Sequence, residues 1–281
     1  MKFVTAIAIA GVLAAGARAD VEDRETIRQT LPTAPKLEVK NIQGYVHVTG
    51  GTGSQIQLVA EKLFRAKDSG ELSLLKQEVR LDWGVSGDTV KVCVQGPWTT
   101  DCKDPDRHRP RERNNDRHYS FTYNIELQIP ANMEVRISTI NKGDVLVRNV
   151  NGKFEARNVN GPVVVEDMKG SGSAQTVNGP VTAKFSRTPA EAVSLKTVNG
   201  RVAAEFPKDT SASLRFKTLH GDVFTDFPTE AVTPVAASGE KRGAKYVYQS
   251  KRSFAVRIGN GGPEHSFETI NGDIEIRQRG Q

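Results

Sequence analysis

From residue 135 onward, apolar and polar residues alternate in short arms that are broken by a polar–Gly pair. Val-Asn-Gly occurs at 150–152, 159–161, 177–179 and 198–200, and Met-Lys-Gly (168–170), Leu-His-Gly (219–221) and Ile-Asn-Gly (270–272) fill the same slot. Alternation with period two means strands that bury one face. Asn-Gly between strands is a hairpin signal, but a two-residue hairpin would set Val150 opposite Lys153, Val198 opposite Arg201 and Ile270 opposite Asp273. Apolar residues would face charged ones, so the hairpin reading fails.

Counting from the Asn position, apolar residues recur at −6, −4, −1, +3 and +5: Val193, Leu195, Val198, Val202 and Ala204 around Asn199. The chain therefore turns at each polar–Gly pair yet stays around one core, and Gly, with Asn next best, tolerates the backbone of such a corner. The pattern predicts a mainly β chain, a β-solenoid (β-helix) of short parallel strands with Asn-Gly corners. The corner pairs are Asn151–Gly152, Asn160–Gly161, Asn178–Gly179, Asn199–Gly200, His220–Gly221 and Asn271–Gly272. Corners nine apart, then twenty-one apart, give a coil of 18 to 21 residues. One edge should stack Asn160, Asn178, Asn199 and His220, with Val159, Val177, Val198, Leu219 and Ile270 buried beside them, and Phe185, Phe206 and Phe227 aligned on successive coils.

The remainder is less regular, a small strand–helix–strand part ahead of the repeat. Asp68 with Glu71 three residues on predicts a helix over 68–79. Residues 79–95 read as two strands around a Gly-Asp turn, 121–130 as a strand ended by Pro130, and 228–253 as a long loop.

Residues 1–19 carry Lys2, an apolar run and "ARA" before Asp20, which is the pattern of a signal peptide cleaved near Ala19. The expectation is an extracytoplasmic protein, periplasmic or secreted, with no membrane span. Residues 20–34 read as a linker and 35–281 as one domain. Without Lys2 and Arg18 there are 37 basic and 33 acidic side chains, too mild a balance for a nucleic-acid binder. In an oxidising compartment Cys93 and Cys102 are expected to form a disulfide; a zinc site with His108 and His118 would have spacings that match no usual pattern.

These features resemble the bacterial putative-adhesin domain family of unknown function. The residues that carry the resemblance are "STINKGDVLV", "QTVNGPVTA", "KTVNGRVAAEF", "KTLHGDVFTDF" and "ETINGDIEI", over roughly residues 35–281. The chain departs from the pattern at Lys142 and in an insert at 96–119. The resemblance implies a β-solenoid and a non-catalytic, adhesin-like role.

For chemistry, the 96–119 insert offers Trp98, Arg107, Arg109, Arg111, Arg113 and Tyr119 as candidate contacts to a glycan or an anionic polymer, against the plainer reading of a solvated mixed-charge loop. Asp follows the corner Gly only at 144, 222 and 273, too seldom for a calcium-binding repeat. A polysaccharide lyase or glycosidase on the same scaffold is the alternative, but it needs paired carboxylates, and Glu155, Glu166 and Glu205 stand singly among basic residues. The sequence thus points to a binding or structural protein of the cell envelope, with envelope glycans or proteins as partners and no catalytic residue, metal or cofactor.

Overall fold

In the strand Val181–Phe185, Val181, Ala183 and Phe185 are buried while Thr182 and Lys184 face outward. The same alternation runs through Val202–Phe206 and the first four residues of Val163–Met168 and Ile274–Gln278. Each buried Val, Leu, Ile or Phe contributes about 1.5–3 kcal/mol, so register is strongly fixed wherever a face is apolar. The computed structural model describes residues 20–97, 119–232, 238–242, 245–249 and 253–280. The signal-peptide reading of 1–19 lies outside them.

From Tyr119 to Ala231 successive strands belong alternately to two sheets whose apolar faces meet. One sheet runs Val21–Leu31, Ile56–Ala66, Tyr119–Pro130, Val46–Gly51, Val145–Arg148, Val163–Met168, Val181–Phe185, Val202–Phe206, Ile274–Gln278, Val223–Thr225, Lys245–Gln249 and Ser238–Arg242. The other runs Glu230–Ala231, Phe254–Ile258, Ala212–Lys217, Glu264–Glu268, Ser194–Lys196, Gly172–Gln175, Phe154–Arg157, Glu134–Ser138, Lys36–Lys40, Thr89–Gln95 and Arg80–Ser86. The central strands pair in parallel and the outer ones antiparallel. A β-solenoid is what the repeat predicts and what is found. The helix Ser69–Glu78 is capped by Asp68, which accepts from the Glu71 N–H at 2.9 Å.

Four expectations need correction. Ile140, Val159, Val177, Leu219 and Ile270 are exposed, Leu219 by 53%, and Val198 is only half-buried. The alternation continues one step further, so that the buried residue is the one two before the corner Asn: Thr139, Asn158, Thr176, Thr197, Thr218 or Thr269. Only at the opposite edge is the residue just before the corner buried, as in Val150 and Met168.

The coil order also differs. Asn199 bridges Asn271, which in turn bridges His220, because the C-terminal coil inserts between two coils that are consecutive in sequence. Phe185 stacks on Phe206 at 5.0 Å, but the next ring on Phe206 is His265, not Phe227. Near-identical repeat phrases define a coil without defining its neighbour.

Residues 21–31 are a strand of eleven residues rather than a linker. Their inward positions Asp23 and Glu25 are charged, which hides the alternation, and Lys62 compensates both, with Lys76 also 2.9 Å from Asp23. Finally, the stretch 228–253 contains the strands Glu230–Ala231, Ser238–Arg242 and Lys245–Gln249, so it is not simply a loop.

Candidate functional site

Two ladders hold the corners. Side-chain amides donate along one line: Asn160 to Asn141 (2.6 Å), Asn178 to Asn160 (2.8 Å), Asn199 to Asn178 (2.9 Å) and Asn271 to Asn199 (2.7 Å), ending beside His220. The buried Thr or Asn two positions earlier donates to the carbonyl of the preceding coil's corner glycine: Thr139 to Gly44, Asn158 to Gly143, Thr176 to Gly161, Thr197 to Gly179 and Thr269 to Gly200, each at 2.9 Å. Stacked amides and satisfied buried carbonyls account for both residue types. The corner asparagines thus bond one another along the ladder, and the threonines are the partners that counting apolar positions overlooked.

Two of the three carboxylates weighed for hydrolysis, Glu155 and Glu166, are engaged in ion pairs on the outer faces. Glu155 meets Arg136 at 2.8 Å, and Glu166 meets Arg148 at 2.7 Å and Lys184 at 3.5 Å. Of the insert residues, Trp98, Arg107, Arg109, Arg111 and Arg113 lie outside the described residues, as does Cys102. Tyr119 does not belong to a loop. It opens the strand Tyr119–Pro130, half-buried, and its hydroxyl donates to Glu78 at 2.6 Å. Cys93 is buried in Thr89–Gln95.

A cleft of about 560 Å³ lies on the outer face of the twelve-stranded sheet, across its first five strands. Register builds it from two rungs. One aligns Thr30, Gln57, Gln128, Thr49 and Arg148; the other aligns Arg28, Val59, Glu126, His47 and Leu146. Five strands span about 19 Å from first to last. All ten side chains point the same way because each is an outward position of its strand.

The ring of Tyr45 stacks on His47, with centroids 4.2 Å apart and planes 20° from parallel. The Tyr45 hydroxyl donates to Glu126 at 3.0 Å, and His47 Nε2 is 3.0 Å from Asp144. Partial burial, and then the neighbouring Glu126 carboxylate, push the Tyr45 phenol up to about 12. It keeps its proton at any physiological pH. The Thr30 hydroxyl donates to Gln57 Oε1 at 2.9 Å, leaving the Gln57 amide donor turned to solvent. Among the described residues, the Gln128, Thr49 and Arg28 side chains have no hydrogen-bond or ion-pair partner.

None of these cleft residues stood out in the sequence. His47 and Thr49, and Glu126 and Gln128, do follow the outward period of two, which is a usable signal. What joins them is the alignment of strands up to a hundred residues apart, including one read as a linker.

The sequence signature of the Toastrack DUF4097 family matches residues 124–277, more than half of the chain. The chain belongs to this family. Its similarity to solved structures is remote. A putative cell adhesion protein from Clostridium sporogenes ATCC 15579 is 11% identical with a TM-score of 0.42, the match covering 92% of this chain and 100% of that one. A putative adhesin from Bacteroides fragilis NCTC 9343 is 12% identical with a TM-score of 0.41, covering 90% and 97%. A putative lipid binding protein from Parabacteroides distasonis ATCC 8503 is 11% identical with a TM-score of 0.27, covering 90% and 96%. No curated protein matches the sequence.

Proposed function

We propose that this Toastrack protein is a non-catalytic binding protein of the cell envelope, acting outside the cytoplasm after cleavage near Ala19, and that the cleft between Arg28 and Arg148 is its binding site. One observation carries the reading. The proton-bearing groups in and beside the cleft are each tied to a neighbour, Tyr45 to Glu126 and His47 to Asp144, while the Gln57 amide N–H and the Gln128 and Thr49 side chains are free among the described residues. Such a surface offers many hydrogen bonds and little proton transfer. A phenol that holds its proton up to about pH 12 is a fixed donor, not a general base. Ladders of backbone and amide bonds make the platform rigid, which lowers the entropic cost of binding an extended partner. The 96–119 insert is a second proposed contact surface.

The test is crosslinking in living cells, comparing the wild type with a variant carrying Arg28→Ala and Gln128→Ala. Both side chains are exposed, so folding should be unaffected while capture of envelope material falls. Deleting residues 99–117 measures the share of the insert. Unchanged capture by the double variant removes the cleft from the reading. Turnover of a polysaccharide, abolished by Glu126→Gln, would replace binding by catalysis.

A further inference from the structure

The charges around the cleft largely cancel. Arg148 is paired with Glu166 at 2.7 Å, and His47 bonds Asp144 at 3.0 Å. Among the described residues Arg28 has no charged partner, and it stands two strands from the Glu126 carboxylate, about 10 Å away. An anionic polymer would gain one arginine and face two carboxylates, Glu126 and Asp144. A cationic one would meet Arg28. Neither sign is favoured.

The groups that remain open are amides and hydroxyls. Gln57 offers its N–H donors, Gln128 offers donors and an acceptor, and Thr49 offers both. Sugar hydroxyls also donate and accept, so an amide pairs with them in either sense. In the second rung Val59, outward-facing and half-buried, lies between Arg28 and Glu126, and Leu146, likewise half-buried, ends the rung three strands away, about 14 Å on. An aliphatic side chain beside amides, as Val59 is beside Gln57, fits the C–H face of a sugar ring with its hydroxyls at the rim, and Leu146 is far enough away to meet another ring of the same chain. A peptide strand would instead need a sheet edge for its backbone, and this cleft lies on a face.

We propose that the cleft binds a neutral glycan chain lying across the strands, with Gln57 and Gln128 as specificity-determining residues. The proposal rests on the cleft being the binding site, and it adds the ligand class.

The experiment uses the chain from residue 20, labelled for NMR and titrated with cellohexaose, maltohexaose and chitohexaose, and with hexagalacturonate as the anionic counterpart. The expected result is that at least one neutral hexasaccharide shifts the Gln57 and Gln128 side-chain amides and the His47 ring. That affinity should be unchanged between about 50 and about 500 mM salt, because no ion pair forms. Gln128→Ala should weaken it about threefold to tenfold, the loss of one or two neutral hydrogen bonds.

Binding by hexagalacturonate alone, lost at high salt, would overturn the proposal. So would the absence of shifts at these residues with all three neutral probes. If the probes fail while cellular capture still needs Arg28 and Gln128, the ligand is of another class and the cleft stands. If capture is also indifferent to them, both readings fall.

Discussion

The His265 ring lies on that of Phe206, 5.5 Å between centroids and 5° from parallel, in the position where a phenylalanine was expected. The ring is wholly buried: Nδ1 accepts from the Val193 N–H at 3.3 Å, and Nε2 has no partner among the described residues. Burial lowers its pKa from 6.5 to about 4. The unfolded chain therefore binds a proton between those values that the folded chain refuses. Stability contributed by the neutral ring is complete above about pH 6.5 and declines as the pH falls to about 4, below which no more is lost. A shift of that size corresponds to roughly 3 kcal/mol. Denaturant midpoints at pH 7 and pH 4 check it. His265→Phe should flatten the difference between the two pH values, whatever its absolute stability. An unaltered pH dependence in that variant would assign the acid loss to other groups.

The corner register makes a paired prediction. Thr176 is buried and donates to the Gly161 carbonyl at 2.9 Å, whereas its neighbour Val177 is 39% exposed. Thr176→Val keeps the shape but leaves that carbonyl without its side-chain donor, at a cost of about 1–3 kcal/mol. Val177→Thr should change stability by less than about 0.5 kcal/mol. Urea titrations of both variants decide the matter, and the reverse order of effects would restore a buried valine at the corner.

These two residues also mark what the sequence makes legible. The alternation around Asn199 places Val193, Leu195, Val202 and Ala204 in the core, because period two and buried faces are properties of the local chain. The corner itself breaks that period. Threonine, polar in sequence, is buried there because a carbonyl of the preceding coil accepts its hydroxyl. The insertion of Asn271 between Asn199 and His220 is not local at all; it depends on which of several near-identical phrases pair. The cleft is the extreme case. Gln57, Gln128 and Thr49 become one rung only through the pairing of separate strands, and no spacing within the chain encodes that.

Gly200 shows how tightly the coils approach. Its φ is +155°, and a Cβ built on it would overlap the Gly179 carbonyl oxygen of the preceding coil. That atom is backbone within a hydrogen-bonded ladder, where the Asn271 carbonyl also accepts from the Gly200 N–H at 2.9 Å. It has little freedom to retreat. Gly200→Ala should therefore cost several kcal/mol, well beyond the ~1 kcal/mol scale of a typical substitution. Thermal melting measures it, and a near-wild-type transition would mean that neighbouring coils can separate more easily than their ladders imply.

The last prediction concerns Cys93. It is buried in Thr89–Gln95, two residues from the end of that strand, with Asp82 opposite in the antiparallel partner and Lys40 in the parallel one. Thr89–Gln95 lies in the eleven-stranded sheet, and the next described strand, Tyr119–Pro130, lies in the other. A covalent tie between Cys93 and Cys102 would anchor residue 102 to the eleven-stranded sheet. Closing a loop of about ten residues stabilises by roughly 2–3 kcal/mol in the chain-entropy picture, and the exported chain would meet the oxidising conditions that keep such a bond. Mass spectrometry of non-reduced proteolytic peptides from protein made in the periplasm should show the two cysteine peptides linked, and Cys102→Ser should lower the melting temperature by several degrees. Two free thiols in that preparation would refute the pairing.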